Sequence, residues 1–317
     1  MEPAIPSPAD LPSFGGSIPG TAGDPAFVVH TSGASPIPVL IAVPHAGRSY
    51  PATLSATLRD PQKTALRLED RLVDRLGEAV AVATGAALIV AHAPRAMLDL
   101  NRGPDDVDWE MIAGRPVVTN AQRVAPGRRA RSGLGLIPRR VAGLGELWRG
   151  KVHFSDLEAR IAGIHVPYHA RVAAELAKLR SRWGAALLLD LHSMPSLGDR
   201  SGANAAAEYV LGDRFGASSD GGLVATAFAC LAQAGARAAH NRPYAGGYAL
   251  ERHAAPRRAI HALQLEVDRR SYLDLELREP GPGFAATAEL LATLVRRLAA
   301  EVALLGIGVR AWPVAAE

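Results

Sequence analysis

The chain has one cysteine, Cys230, so no internal disulfide can form. A buried structural thiol in the apolar helical stretch 223–233 is the expected role, and a reducing cytoplasm fits. Aromatic residues make up only 5% of the chain. Long apolar runs are missing too. The weakly polar stretch 79–94 is broken by Thr84-Gly85 and carries His92. It reads as a helix end followed by a strand, not as a membrane span. Residues 1–14 lack the basic start and apolar centre of a signal peptide. There is no Gly-x-Ser-x-Gly elbow, and Ser193 directly follows His192, a poor geometry for a serine-histidine pair. The glycines of Pro243-Tyr244-Ala245-Gly246-Gly247-Tyr248 are not followed by Lys-Ser/Thr, so no phosphate loop is present there. That turn instead lets backbone approach a ligand, through Gly246 and Gly247.

What is present is enough for one large domain. The 317 residues are 48% hydrophobic, and a chain of this size buries about 75% of its unfolded surface. Formal net charge is +4. Much of the basic excess sits in 115–151, including Arg128, Arg129, Arg131, Arg139, Arg140 and Arg149. No nucleic-acid motif or interleaved aromatic accompanies these residues. A solvated loop with one or two anion-binding arginines is expected, with neither a nucleic acid nor a membrane as partner.

Residues 1–35 are rich in Pro, Gly, Ser and Ala and read as a flexible lead-in. Residues 36–317 read as a single domain with a basic insertion at about 104–151. Its weak periodicity and length suit a lid. Strands are expected at 38–43, 86–91, 185–191, 209–213, 236–239 and 259–267, with a short extended piece at 96–100. Asp60-Pro61 starts a helix that runs to about residue 83. Ser155-Asp156-Leu157-Glu158 is a capping box opening a long helix to about residue 183. Further helices are expected at 223–234 and 285–304. Strands alternating with helices predict an α/β fold with a mixed, mainly parallel central sheet flanked by helices.

Two apolar runs end in histidine. Val39-Leu40-Ile41-Ala42-Val43 leads into Pro44-His45, and the run 185–191 leads into His192. Open α/β sheets bind ligands at the carboxyl ends of their strands. Two imidazoles so placed, far apart in sequence, point to a shared metal or catalytic centre. Zinc in a catalytic site takes three protein ligands from His and carboxylate and keeps one open position. Leu68-Glu69-Asp70-Arg71 offers the third ligand. On a continuous helix, Glu69 shares the apolar seam of Leu66, Val73 and Leu76, so periodicity favours Glu69.

Two other segments carry chemistry. In Leu98-Asp99-Leu100-Asn101-Arg102, the arginine fork and the neighbouring amide suit a substrate carboxylate; a surface ion pair is the other reading. In Leu263-Gln264-Leu265-Glu266-Val267-Asp268, alternation puts the three polar residues on one face. Glu266 is either a general base or part of a solvated edge.

Taken in order, these segments resemble the N-formylglutamate amidohydrolase family. The matching pieces include Pro44-His45-Ala46-Gly47, Glu69-Asp70, Leu98-Asp99-Leu100-Asn101-Arg102, Gly135-Leu136-Ile137-Pro138-Arg139, Pro167-Tyr168-His169, Asp190-Leu191-His192-Ser193 and Gln264-Leu265-Glu266-Val267. The resemblance covers roughly 38–275. It implies a zinc carboxypeptidase-like, phosphorylase/hydrolase-like fold with one Zn2+ on His45, Asp70 and His192. It makes Glu266 the catalytic glutamate and Asn101 with Arg102 the carboxylate clamp. Arg95 or Arg139 would hold a second carboxylate or stabilise an oxyanion. Many carboxypeptidase-like enzymes place a glutamate ligand three residues after the first histidine; here that position is Arg48. The third ligand therefore comes from elsewhere, and the family pattern favours Asp70 over Glu69. The implied reaction is hydrolysis of a small anionic N-acyl amino acid, most simply N-formyl-L-glutamate. Two alternatives are a deacylase for another N-acyl amino acid and a metal-free binding protein.

Overall fold

The apolar runs assemble one large sheet. The computed structural model describes residues 11–31, 35–114, 127–199 and 205–311. Eight strands form the main sheet: β1 (Ser13–Gly15), β2 (Phe27–His30), β3 (Val39–Val43), β4 (Ala87–Ala91), β5 (Ala186–Met194), β6 (Tyr209–Gly212), β7 (Ala238–His240) and β8 (Ile260–Asp268). Their spatial order is β1-β2-β4-β3-β5-β8-β6-β7. The central four strands, β4-β3-β5-β8, run parallel. Antiparallel pairings join β1 to β2, β2 to β4 and β8 to β6. The sheet is mixed, as expected. The central strands are almost uninterruptedly apolar because both of their faces are covered.

Alternation divides the core. Val39, Ile41 and Val43 of β3 join Leu187, Leu189 and Leu191 of β5 and Leu263 and Leu265 of β8 on one face. Helices Val73–Thr84, Gly221–Gln233 and Phe284–Ala311 cover that face, and Cys230 is buried and free there. Leu40, Ala42, Leu188 and Ala262 point the other way, towards helix Val166–Trp183. Along this second face the side chains change from apolar to polar near the strand ends. That change places the functional site.

Several expectations fail for local reasons. The lead-in 1–35 is not wholly loose: β1 and β2 extend the sheet, and Phe27 and Val29 are buried in it. These strands are too short to show periodicity. Residues 1–10 and 32–34 of that lead-in lie outside the described residues.

The helix expected from residue 60 to about 83 is two helices, Pro61–Leu68 and Val73–Thr84. Asp60 caps the first by accepting from the Lys63 N–H, as Asp-Pro predicts. Between them Glu69 turns extended and Leu72 takes a left-handed φ of 58°. The Asp70 N–H donates to the His45 carbonyl at 2.9 Å. That bond ties the break to the loop after β3.

The segment 96–100 forms buried turns rather than a strand; the Met97 N–H bonds back to the Pro94 carbonyl. The expected capping box at Ser155 is displaced too. Helix Phe154–Arg160 starts two residues earlier than a Ser155 cap would give, and His153 caps it by accepting from the Ser155 N–H. A π-helical turn, Ile161–His165, joins it to helix Val166–Trp183. Pro167 has no N–H for the Gly163 carbonyl, which accepts from the Ser17 N–H at 2.8 Å instead.

Segment 104–151 takes part in two small ribbons, Ile112–Ala113 with Val152–His153 just beyond it, and Arg140–Val141 with Gly145–Glu146. Its residues 115–126, on which the lid reading partly rests, lie outside the described residues. Among the described residues no helix is long and apolar enough to cross a membrane.

Candidate metal centre and active site

Strand β5 runs past its expected end at Leu191 to Met194, so His192 is a strand residue, not a turn residue. Residues two apart share a face. Asp190 and His192 of β5 therefore point to the same side, beside Gln264 and Glu266 of β8. The register pairs Gln264 with Asp190 and Glu266 with His192. His45 arrives from the loop after β3, and Asp70 from the break between the two helices.

These side chains converge. One ligand atom each from His45, Asp70 and His192 lies within 4.8 Å of the others, and all three residues are buried. Asp70 Oδ2 is 3.0 Å from His192 Nδ1 and 3.6 Å from His45 Nδ1. The imidazole centroids are 4.8 Å apart. Tetrahedral zinc with bonds of about 2.1 Å spaces its ligand atoms about 3.4 Å apart. The two Asp70 distances bracket that spacing.

The opposite ring nitrogens leave Nδ1 as the atom turned towards the candidate site in both cases. His45 Nε2 is 2.8 Å from Asp99 Oδ1, and His192 Nε2 is 2.9 Å from Asp190 Oδ2. A carboxylate on Nε2 holds the proton there and leaves the Nδ1 lone pair for a cation. His45 Nδ1 is buried without a hydrogen-bond partner among the described residues. A buried ring nitrogen that nothing satisfies is costly unless it binds something. Two nitrogens and one carboxylate oxygen, each imidazole backed by an acid, fit a zinc ion.

Burial and neighbouring charges shift each of these groups. Burial alone would lift Asp70, but the His192 imidazole bonded to it, and then the neighbouring His45, hold it well below the usual carboxylate range. Burial alone would lift Asp99 too; the Arg95 charge and then His45 pull it well down. Burial would lower His192, but the Asp190 charge and hydrogen bond, and then Asp70, raise it well above 6.5. Glu266 goes the other way. Desolvation lifts its pKa to about 7, against the pull of His192 and Arg95.

The two candidates for the third ligand separate clearly. Glu69 is buried but turns to Arg71, 3.5 Å away, while Asp70 faces the imidazoles. Periodicity favoured Glu69 only because it assumed an unbroken helix. Arg269, just beyond β8, braces this turn. Its Nη2 donates to the Glu69 carbonyl and lies 3.5 Å from Asp70 Oδ1, and its Nε donates to Ser193 Oγ at 3.1 Å. Arg48 pairs with Asp74.

The remaining candidates have varied surroundings. Arg95 donates through Nε to Asp99 Oδ2 at 2.9 Å, beside the centre. Asn101 is buried, with its amide engaged by Ala249, Asp190 and Gln264. Arg102 is tied by Nε to the Leu134 carbonyl and by Nη1 to the Asn101 carbonyl. Arg139 is spent on Asp108, Glu110 and Glu146 of the insertion. Gly246 has a left-handed φ of 103°, and a Cβ on Gly247 would lie 2.4 Å from Asn101 Oδ1. Gly247 lets the 243–248 turn pack directly onto Asn101, and a Cβ on Gly246 would meet Leu250.

Sequence reasoning missed Asp99, Asp190, Gln264 and Arg269 as parts of the site. The signal for Asp190 was present: a carboxylate two residues before a strand histidine shares its face. Arg269 gave no such signal, because its partners Ser193 and Glu69 lie 76 and 200 positions away.

Comparison with known proteins gives the family. The model of the N-formylglutamate amidohydrolase family matches residues 37–273. The chain belongs to that family. An N-formylglutamate deformylase of Pseudomonas aeruginosa is 30% identical over 83% of this chain and 91% of its own length. One from Pseudomonas putida is 30% identical over 75% of this chain and 82% of its own. The crystal structure of N-formylglutamate amidohydrolase from Ralstonia eutropha superposes with a TM-score of 0.77 at 31% identity, covering 87% of this chain and 98% of that one.

Proposed function

We propose that this chain is a zinc-dependent amidohydrolase that cleaves N-formyl-L-glutamate to formate and L-glutamate. The observation that carries the reading is the convergence of His45, Asp70 and His192, each imidazole offering Nδ1. The relatives named as deformylases of that substrate support the choice of acyl amino acid. Zinc held by those three residues would supply a Lewis acid that polarises the formyl oxygen and increases the acidity of water.

The chain's own groups do the rest. Glu266, poised near pH 7 by burial, accepts a proton from the water that attacks the formyl carbon. It then delivers that proton to the amide nitrogen as the C–N bond breaks. Formate and the free amine leave. Arg102 holds a substrate carboxylate through Nη2, which bonds no described residue. Arg95, beside Asp99, holds the second carboxylate or the developing oxyanion. Asn101 contributes indirectly, because its amide is already occupied. Arg139 is paired with three carboxylates and takes no substrate role in this reading.

The test is formate release from N-formyl-L-glutamate by metal-stripped protein with and without added zinc. A panel of N-acetyl, N-succinyl and N-formyl amino acids fixes the preference. Zinc-dependent turnover, fastest with N-formylglutamate, is expected. Zinc-independent turnover, or turnover of none of the panel, contradicts the reading.

A further inference from the structure

A chain of amides runs beneath the metal centre, and it has a direction. It begins at a backbone N–H, which can only donate. The Ala249 N–H donates to Asn101 Oδ1 at 2.9 Å, so the amide nitrogen of Asn101 must face the other way. That nitrogen donates to Gln264 Oε1 at 3.1 Å and, at 3.4 Å, to Asp190 Oδ2. Gln264 Oε1 is thereby fixed as an acceptor. Its own nitrogen donates to Glu266 Oε1 at 2.9 Å. Asn101, Gln264 and Glu266 are all buried, so no solvent competes for these bonds.

Each link has independent support. Gln264 and Glu266 share a face of β8 and lie opposite Asp190 and His192 of β5. The Asn101 carboxamide is boxed in by Gly247, where any Cβ would overlap Oδ1 and Cγ, at 2.4 and 2.7 Å. The same carboxamide touches both Gln264 and Asp190, the acid that holds His192 Nε2. One buried amide thus joins the supports of the metal ligand and of the acid opposite it.

We infer that Gln264, oriented by Asn101, is a positioning residue that aims the Glu266 carboxylate at the reacting water. This rests on the reading of Glu266 as the proton-transfer group. With one oxygen held by Gln264, the other is left to face the centre. A side chain that can rotate about its last bonds would lose this aim, and misplacement of about 1 Å can cost about 100-fold in rate.

The experiment compares wild type with Gln264→Met, which keeps the volume and loses the donor, and with Gln264→Asn, which keeps an amide but loses reach. Each substitution is also made on Glu266→Gln. Zinc content and melting temperature are recorded throughout. The expected result is a kcat about 10- to 100-fold lower for both single variants, with KM within about threefold of wild type. Zinc stays at the wild-type level, and neither substitution lowers the residual rate of Glu266→Gln. A fold loss as large on Glu266→Gln as on wild type, or a folded variant with wild-type kcat, overturns the inference.

A crystal structure of Gln264→Met reads the same point without substrate. A displaced or multiply oriented Glu266 carboxylate supports the inference, and an unmoved one overturns it. An inactive wild type would count against N-formylglutamate as substrate and leave this structural readout intact.

Discussion

Glu266 and His192 face each other across two parallel strands, as register partners of the β8–β5 pairing. Adjacent strands are held about 4.8 Å apart by their hydrogen bonds. The spacing between His192 and the neighbouring acid is therefore set by the sheet, not by a loop. Removing the acid while keeping its shape should then spare the rest of the centre. Glu266→Gln is expected to retain zinc and fold, and to lose about 100- to 10,000-fold in kcat. Steady-state formate release with zinc analysis checks this; full activity would contradict it.

The acids behind the imidazoles should matter to metal affinity before they matter to fold. Asp99→Asn and Asp190→Asn keep size while weakening the bond to each Nε2. Each is expected to weaken zinc binding about 10- to 100-fold. Competition with a chromophoric chelator measures this directly. Unchanged affinity in both variants would mean that Asp99 and Asp190 do not orient the rings.

Arg269 should act on the same centre from another direction. It braces the Glu69–Asp70 turn and lies 3.5 Å from Asp70 Oδ1. Arg269→Met removes a buried cation beside a buried carboxylate, a change worth about 3–5 kcal/mol in comparable settings. Chemical unfolding should show a loss of that order, with weaker zinc binding alongside. A variant with wild-type stability and affinity would remove Arg269 from the account.

A histidine cluster behind the centre predicts a pH dependence of stability. Burial, then neighbouring His165 and His253, lowers His169 to about 2. Burial, then Arg252, lowers His253 to about 4. His165 is lowered by burial too, and Asp190 opposes the shift at His253. Since the folded values lie below the ordinary value of 6.5, the unfolded chain takes up protons first. This contribution is complete above about pH 6.5. It is lost as pH falls towards 4, at up to about 1.4 kcal/mol per pH unit for each histidine. Urea unfolding of wild type and His253→Asn between pH 7.5 and 5 tests it. The variant should show the shallower decline; parallel declines would contradict the assignment.

The sequence revealed most about the strand ends. Apolar runs with period-two polar positions placed His45 and His192 at the sheet edge and put Gln264 with Glu266 on one face. It was least informative wherever a long-range bond overrode a local pattern. Helical periodicity could not register the break at Glu69–Leu72, which is pinned by the His45 carbonyl and by Arg269. The choice of Asp70 came instead from the family resemblance; in the fold its carboxylate lies beside both imidazoles. Arg139 read as an anion site because its partners Asp108, Glu110 and Glu146 are distributed along the insertion. Asn101 read as a substrate donor because nothing local shows that Ala249, Asp190 and Gln264 already occupy its amide.

The central claim is that His45, Asp70 and His192 hold one divalent ion on which turnover depends. Elemental analysis of purified protein, paired with formate release, addresses it most directly. The account predicts about one equivalent of zinc per chain and its loss in His192→Ala. Activity should disappear on chelation and return with added zinc. Undiminished formate release by metal-free protein, or full zinc occupancy in His192→Ala, would contradict it.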